Sequence, residues 1–354
     1  MKRGIIILSA LLIALIFLNQ RTPLHRDASK EEENQGTTEA FKSRNNETPS
    51  RITQAIALST GDEGEMEDEP ELTLAQIESY LLKAKRSPES LLNAFIQTGD
   101  MNYLAEAAKD YPENSLVQWA MVFHSSPEER SQWVDALKKS FPDSGLPNYL
   151  SALDLFRSGD VERGVAELNS ARGKKVTSKL DVTAAMSREE MYLLLGYSPL
   201  QAKESLFPAT ELPIERMHLP EMKKLSNELV ALLEKYRRAG DIASQHALAQ
   251  IGIETARHIS SGEAYLLNRL VGFSMEADIM KHFDPGTYYD FLGSSPEQRQ
   301  LEMREARDDI REMFRSFEDI YQQMNEGEKL NYWNRVQVYG ESNALQWLNA
   351  TYKN

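Results

Sequence analysis

Residues 146–173 read LPNYLSALDLFRSGDVERGVAELNSARG, and the punctuation of this stretch decides the fold. Apolar residues recur at threes and fours on either side of Gly159-Asp160, as burial of one helix face requires. Glycine takes the left-handed conformation that ends one helix, and aspartate caps the next. The stretch therefore predicts two helices folded back on each other at a tight joint. The same dipeptide recurs at Gly99-Asp100 and Gly240-Asp241, each time between two periodic segments. The first two joints lie 60 residues apart, and between them Tyr111-Pro112-Glu113 and Phe141-Pro142-Asp143 recur 30 residues apart. A period in this range marks stacked helical hairpins.

Working outward, the helix-start signals are dense. Ser87-Pro88-Glu89, Ser126-Pro127-Glu128 and Ser295-Pro296-Glu297 each place a capping hydroxyl, a first-turn proline and a dipole-matching acid in order. Thr73 with Gln76, and Ser187 with Glu190, have capping-box spacing. Leu74, Ile77, Leu81 and Ala84 form one apolar stripe, and Met222, Leu225, Leu229, Leu232 and Tyr236 another. No alternating β-branched stretch competes with them, so the body reads as all-α.

The unit from Leu146 to Gly173 resembles a tetratricopeptide repeat. Small Ala152 and then Leu155 stand on its first helix, and Gly164, Leu168 and Ala171 on its second. In that family the small residues let paired helices approach, while bulky ones fill the gap to the next hairpin. The resemblance covers Ser90 to Gly173 clearly and Leu219 to Ser260 loosely, and it is degenerate. Its pitch is 30 residues rather than the usual ~34. Leu104 stands where a small residue belongs, and the middle turn is Ser125-Ser126-Pro127. What the resemblance implies is an α-solenoid whose groove takes peptides or partner proteins.

Residues 72–175 are thus expected to form the TPR-like hairpins, 176–218 a connector, and 219–354 a C-terminal helical subdomain. The less regular stretch from Val176 to Pro220 carries prolines at 208, 213 and 220, a short helix over Met191–Leu195 and a turn at Ser198-Pro199. Three long helices follow between Leu219 and His282. Met303, Ala306, Ile310, Met313, Phe317, Ile320 and Met324 then form a heptad seam. Phe314 and Tyr321 widen that seam, which favours packing on the chain's own body over self-association. Trp333, Val336, Leu345, Trp347 and Leu348 supply an apolar face for the last helices.

The other end of the chain reads as an address. Lys2 and Arg3 precede an apolar run from Gly4 to Leu18, broken by Ser9, which is the pattern of an export signal. Its 15 residues reach roughly 22 Å as a helix, short of a ~30 Å hydrocarbon core. Length favours a cleaved signal peptide over residues 1–20. The absence of a small-x-small site before Asn19 favours an uncleaved signal anchor instead. Lys2 and Arg3 are balanced by Arg21, Arg26 and Lys30, so orientation stays open. Residues 21–71 read as a disordered acidic linker, with seven acids among the eleven residues from Gly61 to Glu71. Gly64 and Met66 interrupt the ligand spacing of a calcium loop.

Composition narrows function mainly by exclusion. Forty Lys and Arg stand against 54 Asp and Glu, a net charge of −14 that disfavours nucleic-acid binding. The chain has no cysteine, so disulfides, thiolate catalysis and sulfur-ligated zinc are excluded. No Gly-x-Ser-x-Gly elbow and no phosphate-cradling glycine loop is present. The only metal-ligand candidates are two acid–histidine pairs at i,i+4, Glu254 with His258 and Asp278 with His282. That spacing more often makes a helix-surface pair. Asn46-Glu47-Thr48 and Asn349-Ala350-Thr351 match glycosylation sequons.

The expectation is a non-enzymatic, cofactor-free protein-binding or scaffolding protein, exported and held at the cell envelope, with the membrane reached through its N-terminal segment. Two alternatives stand beside it. One is an enzyme or regulatory subunit with a metal site at Glu254, His258, Asp278 and His282. The other is a structural homo-oligomer built through the heptad helix.

Overall fold

A computed structural model describes residues 72–176, 179–206, 217–261 and 266–352. The apolar run at the N-terminus and the acidic linker, residues 1–71, lie outside the described residues. Among the described residues there are fifteen helices and no strand. None of these helices is long and apolar enough to cross a membrane.

Helix α1 (Leu74–Lys83) precedes three helix pairs. These are α2 (Pro88–Thr98) with α3 (Met101–Asp110), α4 (Ser115–His124) with α5 (Pro127–Ser140), and α6 (Leu146–Arg157) with α7 (Val161–Ser170). Then come α8 (Lys179–Leu194) and the short α9 (Pro199–Glu204). A fourth pair follows, α10 (His218–Ala239) with α11 (Ile242–Ser260), and then α12 (Leu266–Met280). The chain closes with α13 (Pro296–Gln323), α14 (Glu326–Tyr339) and α15 (Glu341–Tyr352).

The local signals act where the sequence places them. Gly99, Gly159 and Gly240 all have φ between +67° and +83°, a region that costs other residues a Cβ clash. Asp100, Asp160 and Asp241 each accept a backbone N–H from the first turn of the following helix. Ser87, Ser126 and Ser295 do the same behind their first-turn prolines. Thr73 and Gln76 make the reciprocal capping box. Leu74 is exposed, so the stripe of α1 is buried only from Ile77 onward. Ser187 caps nothing: it lies inside α8, which starts at least eight residues earlier than its spacing to Glu190 suggested. The helix expected over Met191–Leu195 is the last turn of α8.

Each pair packs on the next. The two helices of each pair lie together, and α2 packs on α4, α3 on α4 and α5 on α6. The stacking then skips α8 and α9 and changes pattern. Where α3 packs on α4 and α5 on α6, second helix on first, here α6 packs on α10 and α7 on α11, first on first and second on second. The loops before α6 and after α7 are stitched by Lys175 N to the Asp143 carbonyl at 2.7 Å and Gly145 N to the Lys175 carbonyl at 2.8 Å. Within the third pair, a Cβ on Gly164 would stand 2.5 Å from the Phe156 ring, which explains the small residue there. Helix α12 packs on both α10 and α11, and α13 packs on α12 and α15.

One hydrophobic core runs from Ile77 in α1 through the four pairs and α12 to Met303 in α13. A second lies beneath α13–α15, with Ile310, Phe317, Trp333 and Leu345 at its centre and Leu266 and Leu270 of α12 joining it. The seam residues Met303, Ile310, Phe317 and Met324 are buried within the chain. A third, small cluster of Tyr80, Met191, Tyr192 and Ala202 belongs to α1, α8 and α9.

Candidate partner-binding face

The four metal-ligand candidates have protein partners drawn from different elements. On α11, His258 Nε2 lies 2.5 Å from the Lys174 carbonyl, so this nitrogen carries the proton. Nδ1 is then the acceptor for the Tyr149 hydroxyl of α6. Glu254, one turn earlier, pairs with Arg172 and accepts Gln250 Nε2 at 2.9 Å. Asp278 is held by Lys223 of α10 and by Lys281 at 2.8 Å, while His282 Nδ1 lies 3.5 Å from Glu234. Among the described residues no three His, Asp or Glu side chains are grouped to hold a metal ion.

Burial holds the His258 imidazole below its ordinary pKa, against the opposing pull of the Lys174 carbonyl. Burial alone does the same to His124, whose ring packs edge-on against Phe95 at 4.8 Å. Below pH ~6.5 an unfolded histidine takes up a proton that these two folded ones resist. The unfolded state then binds more protons, so stability present above that pH declines as pH falls. The urea midpoint at pH ~5.5 is therefore expected below that at pH ~7.5, and a His124→Gln/His258→Gln variant should show a smaller drop. Equal drops in the two proteins would contradict this assignment.

Among the described residues, one carboxylate is wholly buried among charges. Glu276 of α12 receives Arg299 of α13 through two bonds, 2.9 Å to Oε1 and 3.0 Å to Oε2. Arg257 of α11 reaches the same Oε1 at 3.1 Å and gives another nitrogen to the Leu292 carbonyl at 2.8 Å. Bonding to Glu276 raises the Arg299 pKa, so that guanidinium stays charged. This triad fastens the end of the helix-pair series to the C-terminal helices.

A second charged seam joins the second, third and fourth pairs. Arg130, in the first turn of α5, bonds Asp154 of α6 at 2.8 Å, Glu221 of α10 at 3.2 Å and the Val122 carbonyl of α4 at 2.9 Å. Arg157 of α6 lies 4.0 Å from both Glu221 and Glu228. A bidentate or forked guanidinium is suited to such multi-helix bridging because its donors are held in one plane. The seam crosses from the second pair to the fourth without a break at the 176–216 insertion.

Over the first two pairs that insertion folds back. Helix α8 packs on α1, α2 and α4, and α9 packs on α14. Asn93 of α2, buried among Leu91, Leu92, Ala94 and Phe95, donates to Ser187 at 2.8 Å and to the Tyr80 hydroxyl at 3.0 Å. Gln97 donates to the Tyr192 hydroxyl at 3.3 Å, and Lys83 to the Leu194 carbonyl at 3.1 Å. At the far end, buried Lys203 bonds Glu189 at 2.7 Å and also Gln337 of α14. Glu204 accepts the Tyr321 hydroxyl at 2.6 Å, which in turn accepts Trp333 Nε1 at 2.7 Å. None of these residues is a sequence-level site candidate. The one available signal was Asn93, a polar residue in the middle of an apolar run, where burial demands a partner.

Comparison with known proteins finds no matching family model, no similar curated protein and no similar solved structure.

Proposed function

We propose that this chain is a non-enzymatic protein-binding scaffold, a degenerate TPR-like array of four helical hairpins presented at the cell envelope by its N-terminal segment. The observation that carries the reading is the stacking of α10 on α6 and α11 on α7 across the intervening insertion. Stacking that resumes after an insertion supports an array, and an array offers an extended surface for a partner. Export rests on the basic start and the apolar run of residues 4–18.

The test is site-specific photo-cross-linking on the intact, tethered chain. Photoreactive residues replace Arg157 on α6 or Lys224 on α10, which lie along the second charged seam, or Arg163 on the exposed side of α7. The proposal expects the same partner protein to be captured from positions 157 and 224 and not from 163. Capture from all three positions alike, or from none, would overturn it.

A further inference from the structure

We infer that the surface of α1, α2 and α4 beneath α8 is a helix-binding site, that α8 is its internal occupant, and that the external ligand it fits is an amphipathic helix with the α8 pattern. This rests on the partner-binding reading and names the class of partner and its control.

Three observations support it. First, the contact between the third and fourth pairs does not run through α8: these pairs meet each other directly, and α8 lies against α1, α2 and α4 instead, where Ala184 joins the main core. Second, the seat mixes apolar and polar contacts. Beside Ala184, which meets the main core, stands the small cluster of Tyr80, Met191, Tyr192 and Ala202, bordered by the side-chain bonds of Asn93 to Ser187 and Gln97 to Tyr192. Such mixed polar and apolar interfaces within a chain resemble those between proteins that separate. Third, a permanently docked helix needs one apolar face, yet α8 also exposes Met186 and Leu193, one heptad apart, on its other side.

The seated face of α8 specifies the ligand. Ala184 allows close approach, Ser187 meets Asn93, and Met191 with Tyr192 fills the space beside Tyr80. A partner helix would present a small residue, a hydroxyl three positions on, and a long apolar residue followed by an aromatic four positions later. This is recognition of a helix in a groove by anchors one and two turns apart. The α9 end, held by Lys203 and Glu204 to α14 and α13, sets how tightly the internal occupant is retained.

The test uses a fluorescent synthetic peptide of residues 179–195 and the full chain. In the wild-type protein the seat is filled by α8 at the high effective concentration of a tethered segment. Met191→Asp places a charge where Met191 is fully buried, and so vacates the seat. The peptide is expected to bind this variant at least about ten-fold more tightly than wild type. Because the chain has no cysteine, Asn93→Cys with Ser187→Cys can be bridged by a short thiol cross-linker, and the bridged chain should bind no peptide. Lys203→Ala, which releases only the α9 end, provides the same comparison if Met191→Asp loses helicity. Equal peptide affinity for wild-type, bridged and released chains, or no binding to either released variant, would overturn the proposal. The peptide comes from this chain alone, so its result is independent of whether photo-cross-linking finds an outside partner.

Discussion

Gly272→Ala is expected to destabilise the fold by about 2–3 kcal/mol, although alanine is the better helix former by ~1 kcal/mol. Gly272 lies within α12 where that helix meets α11 most closely. An added Cβ would fall against the Ala256 carbonyl oxygen, 2.5 Å from Ser260 Cβ and 2.8 Å from the Ser260 backbone nitrogen. Backbone atoms cannot rotate away, so the two helices must part and the core around Val271 and Ile259 must open with them. Gly252→Ala provides the contrast. Its nearest neighbour is the Ile279 Cδ1 methyl at 2.6 Å, the far end of a side chain that can turn aside. Urea unfolding with an unchanged m-value should rank wild type above Gly252→Ala and that above Gly272→Ala. A Gly272→Ala protein as stable as wild type would mean that α11 and α12 do not approach this closely.

Removing the Glu276 carboxylate is expected to cost about 3 kcal/mol. The side chain is 1% exposed, and without it Arg257 and Arg299 would face each other across a buried gap. The full cost of breaking a buried pair is about 3–5 kcal/mol, and the lower end applies because Arg257 and Arg299 keep some contact with water. Glu276→Ala should be the most damaging variant. Arg299→Ala should cost less, since Arg257 still pairs the carboxylate. In a double-mutant cycle the two changes should couple, because they remove one shared interaction. Additive effects would show that the bidentate bond between α12 and α13 does not hold in solution.

These two sites illustrate what the sequence could and could not disclose. The Gly-Asp joints, the Ser-Pro-Glu starts and the Thr73–Gln76 box were legible because each acts within one turn of helix. All three joints fall where their chemistry places them. Gly272 and Gly252 are glycines inside helices, and the neighbours that demand them lie elsewhere in the chain. The same limit governs charge. Glu254 and His258 share a helix face at a spacing suited to a metal, but Arg172, Tyr149 and Lys174 arrive from other elements and occupy them. Ser187 with Glu190 imitates a capping box, while the Ser187 hydroxyl faces Asn93, 94 residues away. Pairing across such separations depends on tertiary stacking, which local propensity does not encode.

The connector was legible as an interruption and not as a strap. Prolines 208 and 213 mark it as irregular, while Pro220 stands in the first turn of α10, and nothing local says that α8 returns to α2 or that Lys203 reaches Gln337. That return closes a circuit of contacts from the first pair through α8, α9 and α14 to the C-terminal helices. A strap held by a small mixed contact over a larger apolar stack divides the chain into parts of unequal stability.

Hydrogen exchange resolved by residue on the intact chain tests that division most directly. The account predicts that α6, α7, α10 and α11 exchange together as the most protected unit, with α8 opening at a lower free energy. Independent exchange of α10–α11 from α6–α7, or protection of α8 equal to that of the stacked pairs, would contradict it.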